Sequence, residues 1–306
     1  MGDMNIERFK RVDNSTIVEE WEGTSLTYWK SVGKAFLQNK AAIITATILL
    51  IIIAMTIFYP MVSKYSYLQQ DYKIKNLKPS MEHFFGTDAW GSDVFAGVWQ
   101  GARTSLILGI LIAFINLVVG MIYGGICSYH GGLTDDILMR IIEILTNIPL
   151  IVVIILVNLI LGRSVFTFVI ALTISGWCNV ANLIRGQFIQ QKEQEYILAA
   201  KALGASTSRI ISKHLMRNVI SIAIVTITLE IPNVILLEST LSFIGFGSSL
   251  LSWGSLFFNA SFSLHFYPNV VFLPALVISI TIICFNILGD ALRDAFNPHE
   301  VVLKKQ

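Results

Sequence analysis

One carboxylate stands in the middle of an apolar run, SIAIVTITLEIPNVILLE, where Glu230 precedes Pro232 by two positions. An acid at the centre of a membrane helix costs about 2.5–3.5 kcal/mol on insertion scales, so it has to face a cavity or a partner. Two roles fit it. Glu230 either contacts whatever crosses the membrane, with Asn233 and Glu238 further along the same run, or it makes a structural hydrogen bond near the backbone carbonyl that Pro232 leaves without a donor. Glu238 and Glu143, close to the ends of their apolar runs, read more simply as hydrogen-bonded structural acids. Asn158 and Asn286 read as hydrogen-bonders between helices, and Asp290, Arg293 and Asp294, at i, i+3 and i+4, as a local ion-pair cluster.

Other chemistry is thin. The five histidines, His83, His130, His214, His265 and His299, are scattered without metal-ligand spacing. The three cysteines, Cys127, Cys178 and Cys284, sit in or beside apolar runs and read as small packing residues. Neither an HExxH motif nor a phosphate-cradling G-x-x-x-x-G-K-[ST] loop is present, so the chain holds no P-loop ATPase of its own.

A polar stretch, EQEYILAAKALGASTSRIISKH, lies between two apolar runs. Residues 193–203 are strong helix formers, and Ala199, Ala200 and Ala202 lose no side-chain entropy there. Gly204 is placed to end that helix in a left-handed cap, and Ser206 to start the next. The apolar face Tyr196, Ile197, Ala199, Ala200 and Leu203 is small-featured and permits close approach of another backbone. Such a hairpin either lies solvated under its own protein or serves as a docking knob for a soluble partner.

The elements that must position these residues follow from composition. Of the 306 residues 54% are apolar and 14% are charged. This balance points to an all-α integral membrane protein, since soluble chains carry nearer a quarter charged residues. Residues 41–63, 104–134, 144–162 and 164–184 hold no Asp, Glu, Lys or Arg. About 20 apolar helical residues cross a bilayer, so the pattern predicts six spans, roughly 41–60, 103–127, 137–161, 165–184, 217–239 and 268–289. With the N-terminus inside, sixteen Lys and Arg fall on the cytoplasmic side and six, Lys64, Lys73, Lys75, Lys78, Arg103 and Arg163, outside. That asymmetry puts both termini in the cytoplasm. The arm 1–40 is too charged for a cleavable signal peptide. The external segment 61–102 is too long for a turn. The loop 240–267, with Trp253, Phe257, Phe258, Phe262 and Phe266, reads as an aromatic belt or re-entrant packing element, or as having a direct role in gating or substrate contact.

Five blocks in order carry a resemblance. LAAKALGAS with RIISKHLM resembles the EAA loop of ABC importer permeases, with Ala199, Ala200 and Gly204 on its Ala, Ala and Gly positions. Leu198 stands at its Glu position and Arg217 at its closing Pro. HFFGTDAWGSDVFAGVWQGARTSL (83–106) is similar to the HxLGTDxxGRDxxxRxxxGARxSL block of dipeptide and oligopeptide permeases of the C-subunit type, with Ser92 for the usual Arg. YHGGLTDDILMRIIEILTNIP, LLESTLSFIGFG with WGSLF, and NILGDALRDAFNP are similar to the remaining blocks, with Asn297 for Asp.

The resemblance implies a transport subunit and no enzyme: a permease moving oligopeptides or dipeptides into the cytoplasm by alternating access. Nickel or metallophore import is the alternative within the family, and a secondary transporter using Glu230 the alternative outside it. It implies a permease core over 103–298 behind the first span 41–60, with a tail at 299–306. The implied partners are a homologous second permease, two cytoplasmic ATPases and an extracellular peptide-binding lipoprotein, with ATP and Mg on the ATPases and no cofactor on this chain. Glu195, Tyr196, Ala199, Ala200, Leu203, Gly204, Ala205, Ser206 and Arg209 become the coupling residues, and the plasma membrane the location.

Overall fold

A computed structural model describes residues 28–195, 197, 202–204 and 216–296. The terminal arms 1–27 and 297–306 lie outside the described residues. Within them the elements are helical: α1 (Tyr28–Gln38), α2 (Lys40–Val62), α3 (Val94–His130), α4 (Gly132–Asn147), α5 (Leu150–Leu161), α6 (Val165–Lys192), α7 (Met216–Phe243), α8 (Trp253–Ser261) and α9 (Asn269–Phe296). A single isolated bridge joins Thr87 and Asp93, and the described residues contain no strand. Five helices are long and apolar enough to cross a membrane, and the bent α4–α5 pair brings the number to six where it counts as one span.

Three of the long helices begin where a polar side chain takes over orphan backbone N–H groups. Asn39 accepts from Ala41 N and Ala42 N to start α2, Asp93 from Ala96 N to start α3, and Ser164 from Thr167 N to start α6. The cap at Asp93 starts α3 well before the span expected from charge-free sequence. At 37 residues α3 is about 55 Å long, well beyond the roughly 30 Å hydrocarbon core, so it projects past the bilayer. Likewise α6, α7 and α9 run past the expected ends 184, 239 and 289, because helix continues into amphipathic sequence that hydropathy does not score.

The expected single span 137–161 is corrected to two helices meeting at 84°. Pro149 has no N–H and holds Ile148 in extended backbone (φ −81°, ψ 124°), which stops α4. A hydropathy window sees only uninterrupted apolar residues there.

α3 is the central element. It runs alongside α6, packing Gly120 on Val180 and Gly124 on the backbone at Ala181, where a Cβ on either glycine would collide. It runs antiparallel to α7, whose Ile235 fills the space above Gly109. By contrast α2 touches its neighbours α3 and α9 along one stripe, Ala42, Thr45, Leu49, Ile52 and Thr56, and turns large apolar side chains outward. That is stable only where the surroundings are apolar too.

Near the end of α2, Pro60 removes the donor that Thr56 O would otherwise accept from. Arg103 of α3 supplies the substitute: its Nε donates to Thr56 O (3.2 Å) and Nη2 to Ile57 O (3.0 Å). The loop 240–267 contains α8, opened by a capping box of Ser252 and Ser255. Trp253 is fully buried and donates from Nε1 to Val98 O (3.0 Å), while Phe262 and Phe266 stay exposed. So this loop packs on the bundle with one face and presents aromatics with the other.

Candidate functional site

Two ends of the bundle differ. At one end α6 stops and α7 starts, which is the hairpin end; at the far end lie the 63–93 segment, α8 and the start of α9. The far end is a tied loop. Gly86 and Gly91 take left-handed φ (78° and 77°), letting the chain fold back between Leu77 and Val94. Asp88 accepts from Trp90 N and Ser92 N (both 2.9 Å), and burial pushes its carboxyl up while these donors oppose the rise. His83 Nδ1 meets Asp93 Oδ2 at 2.7 Å, and Thr87 Oγ1 donates to Ile74 O. These residues are buried and bonded to each other, so the motif's chemistry is spent on shape.

Glu238 belongs to the same structural economy. Fully buried, it accepts from Ser105 Oγ (2.9 Å) and Ser242 Oγ (2.7 Å), and Ser105 Oγ in turn accepts from Trp253 N (3.1 Å). It thereby ties α3, α7 and α8 together. Glu143 instead pairs with Arg140 (2.9 Å) on an exposed face of α4.

Glu230 is placed differently. It stands in the wall between two cavities, of about 560 Å³ and 530 Å³. The first lies between α6, α7 and α9 and is lined by Gln187, Gln191, Ser221, Thr226 and Arg293 among others. The second lies between α3, the α4–α5 break, α6 and α7, with Thr146, Ile148, Pro149 and Ser175 in its wall. Asn179, Glu230 and Asn233 line both. Of the three expected path residues the structure thus brings Glu230 and Asn233 together, and Glu238 lines neither cavity.

Asn116 of α3 completes the group. It is 2% exposed, and its Nδ2 donates to Glu230 Oε1 over a long 3.4 Å. Its amide lies over Gly176 of α6, where a Cβ would come within 2.5 Å of Nδ2. A glycine is therefore required opposite it. Irregular backbone at membrane depth is tolerated where it lines a cavity, which is where the Ile148–Pro149 break sits. The arrangement can hold a polar or cationic group against one carboxylate and several carboxamides. Among the described residues no cluster of His, Cys, Asp and Glu suits a metal ion.

The hairpin end is held by ions. Arg185 of α6 grips Asp135 of α4 with Nε on Oδ1 (2.6 Å) and Nη2 on Oδ2, a two-pronged pair. Lys192 Nζ donates to Ser128 O at the end of α3. Beyond α6, Ile197 is fully buried against Leu117, Ile184, Phe188 and Val219. Leu203 is 88% exposed, so the two residues expected on one apolar face point apart. Gly204 has φ +76°, the left-handed conformation expected of it, and Glu195 is exposed. Tyr196, Ala199, Ala200, Ala205, Ser206 and Arg209 lie outside the described residues. The ion-pair cluster expected at Asp290, Arg293 and Asp294 does not form; among the described residues the ion pairs are His83–Asp93, Arg140–Glu143 and Arg185–Asp135.

Sequence reasoning missed Asn116, Asn179 and Pro149 as cavity residues. Gly176 and the Asn147-Ile148-Pro149 run were the available signals, one for close approach and the other for a break.

Residues 116–301 match the family model described as binding-protein-dependent transport system inner membrane component, and residues 27–79 match the N-terminal TM domain of oligopeptide transport permease C. The oligopeptide transport system permease protein OppC of Bacillus subtilis is 42% identical over 287 residues, covering 93% of this chain and 94% of that one. The dipeptide transport system permease protein DppC of the same organism is 42% identical over 279 residues, covering 90% and 87%. OppC of Escherichia coli is 36% identical, covering 92% and 94%. Among solved structures, a chain of the inward-facing MetNI methionine ABC transporter superposes with a TM-score of 0.52 at 16% identity, covering 66% of this chain and 95% of that one, a likeness of fold. On this evidence the chain belongs to the binding-protein-dependent transport system inner membrane components, within the group of oligopeptide and dipeptide permease proteins.

Proposed function

We propose that this chain is one of two permease subunits of an ATP-binding-cassette importer that carries oligopeptides or dipeptides into the cytoplasm. The observation that supports it best is the pair of polar cavities meeting at Glu230 inside the bundle of a chain of this family. A peptide offers amide N–H and C=O groups at every residue, and Asn116, Asn179 and Asn233 offer matching carboxamides. The alternatives draw less support: the similar proteins are peptide permeases by name, and one acid is little for an ion-driven carrier.

In this reading both termini and the hairpin face the cytoplasm, and the 63–93 segment faces the solvent outside, where a binding protein delivers cargo. A second, homologous permease closes the other side of the path. Two ATPase subunits carry ATP and Mg, and the hairpin around Glu195, Tyr196, Ala199, Ala200, Leu203, Gly204, Ala205, Ser206 and Arg209 transmits their motion. Its described residues suit a lever: Ile197 is rooted in the bundle, while Leu203 and Gly204 project from it. Rocking of α6 and α7 through that lever would open the cavities alternately to the two sides.

The test is uptake of a radiolabelled tripeptide by the assembled complex in proteoliposomes, with a Leu203→Cys variant probed for crosslinking to the ATPase. Uptake that requires ATP, together with an efficient crosslink and loss of uptake in an assembled Gly204→Trp variant, is the expected result. ATP-independent uptake, or normal uptake by Gly204→Trp without any crosslink, would overturn the coupling mechanism.

A further inference from the structure

The larger cavity contains two charged side chains, Glu230 and Arg293; its other lining residues are neutral. Their placement follows from the packing of two antiparallel helices. A Cβ on Gly289 of α9 would meet Leu229 Cδ2 of α7 at 2.5 Å, so these two residues are level. Arg293 lies four residues further along α9 toward the hairpin end, and Glu230 one residue further along α7 away from it. At 1.5 Å rise per residue the two backbone positions lie roughly 7–8 Å apart along the bundle.

Both groups keep capacity in reserve. Glu230 accepts a long hydrogen bond from Asn116 and sits beside the Asn233 carboxamide, and a carboxylate has room for about four donors. Arg293 is exposed and takes part in none of the ion pairs among the described residues, although Asp290 and Asp294 are its neighbours on α9. The same wall also offers carboxamides and a hydroxyl, Asn179, Gln187 and Thr226, with apolar surface from Leu183, Val225 and Leu229.

We propose that Glu230 takes the α-ammonium group, and Arg293 the α-carboxylate, of a short peptide lying in the larger cavity. An extended chain spans about 3.3–3.6 Å per residue, so the charges of a dipeptide or tripeptide match this separation once side-chain reach is included. Planar guanidinium suits a carboxylate through paired N–H donors, and the carboxamides bond to the peptide backbone whatever its side chains are. The cavity thus selects by free termini and length, with little preference for side-chain identity. This assignment rests on the peptide-import reading above.

The experiment uses the same complex in proteoliposomes and compares Glu230→Gln with Glu230→Asp, and Arg293→Gln with Arg293→Lys, each confirmed to co-purify with its partners. Loss of a charged hydrogen bond corresponds to a drop of about tenfold or more in uptake at low peptide concentration, expected for both Gln variants. The variants that keep the charge are expected to retain most of the uptake. Gln variants at the wild-type rate would overturn the proposal, and so would Asp and Lys variants as impaired as the Gln ones, since that marks a purely structural role. If the wild-type complex itself takes up no peptide, it is the import reading that fails, and this proposal with it.

Discussion

Arg103 shows how a single side chain can mend a helix other than its own. Pro60 leaves Thr56 O without its helical donor, and the guanidinium covers that carbonyl and Ile57 O from α3. Because the group is partly exposed, the pair of bonds contributes about 1 kcal/mol. Arg103→Ala is expected to lower the melting temperature of the purified protein by a few degrees, on the order of 2–4 °C for a chain this long. In a Pro60→Ala background the loss shrinks, since an alanine there restores the backbone donor. Equal losses in both backgrounds would show that the two residues act independently.

At the scale of elements, the bend between α4 and α5 sets the second cavity, because Ile148, Pro149 and Leu150 form part of its wall. With the 84° bend, spin labels at Ile137 and Leu159 are separated by roughly 25 Å, against about 33 Å for a continuous helix at 1.5 Å per residue. Pro149→Ala is expected to lengthen that distance and to reduce uptake. An unchanged distance would place the cause of the bend in the surrounding packing instead of the proline. How much of this was legible beforehand differs by element. The left-handed backbone at Gly204 and the apolar runs could be read from residue types, because glycine conformation and hydropathy are local properties. The break at Pro149 was hidden inside a charge-free run. Asn116 gains its place only through contact with Gly176 and Glu230, which lie far from it in sequence. Glu238 shows the converse: its place near the end of an apolar run already read as that of a hydrogen-bonded structural acid, while the two serines that donate to it and the Trp253 backbone behind them are tertiary facts.

For the whole molecule, the asymmetry of Lys and Arg predicts which end meets which solvent. The three cysteines are buried, so an engineered thiol can be read above a low background. Lys78→Cys, at the far end, is expected to react with an impermeant maleimide added to intact cells, and Leu203→Cys only after permeabilisation. The reverse pattern would invert the topology and the direction of transport with it.

The wall shared by the two cavities has a kinetic meaning. Asn179, Glu230 and Asn233 border both spaces, so in the peptide-import reading the ammonium end of a cargo passing from one to the other keeps the Glu230 carboxylate beside it, and only its carboxylate end leaves Arg293. A passage with one deep well would hold its occupant, and a passage with an unpaired step would repel it; conduction needs neighbouring sites of modest depth. In that reading two neighbouring sites with a common rim would flatten the free-energy profile of the journey, leaving its pace to the opening and closing of the bundle.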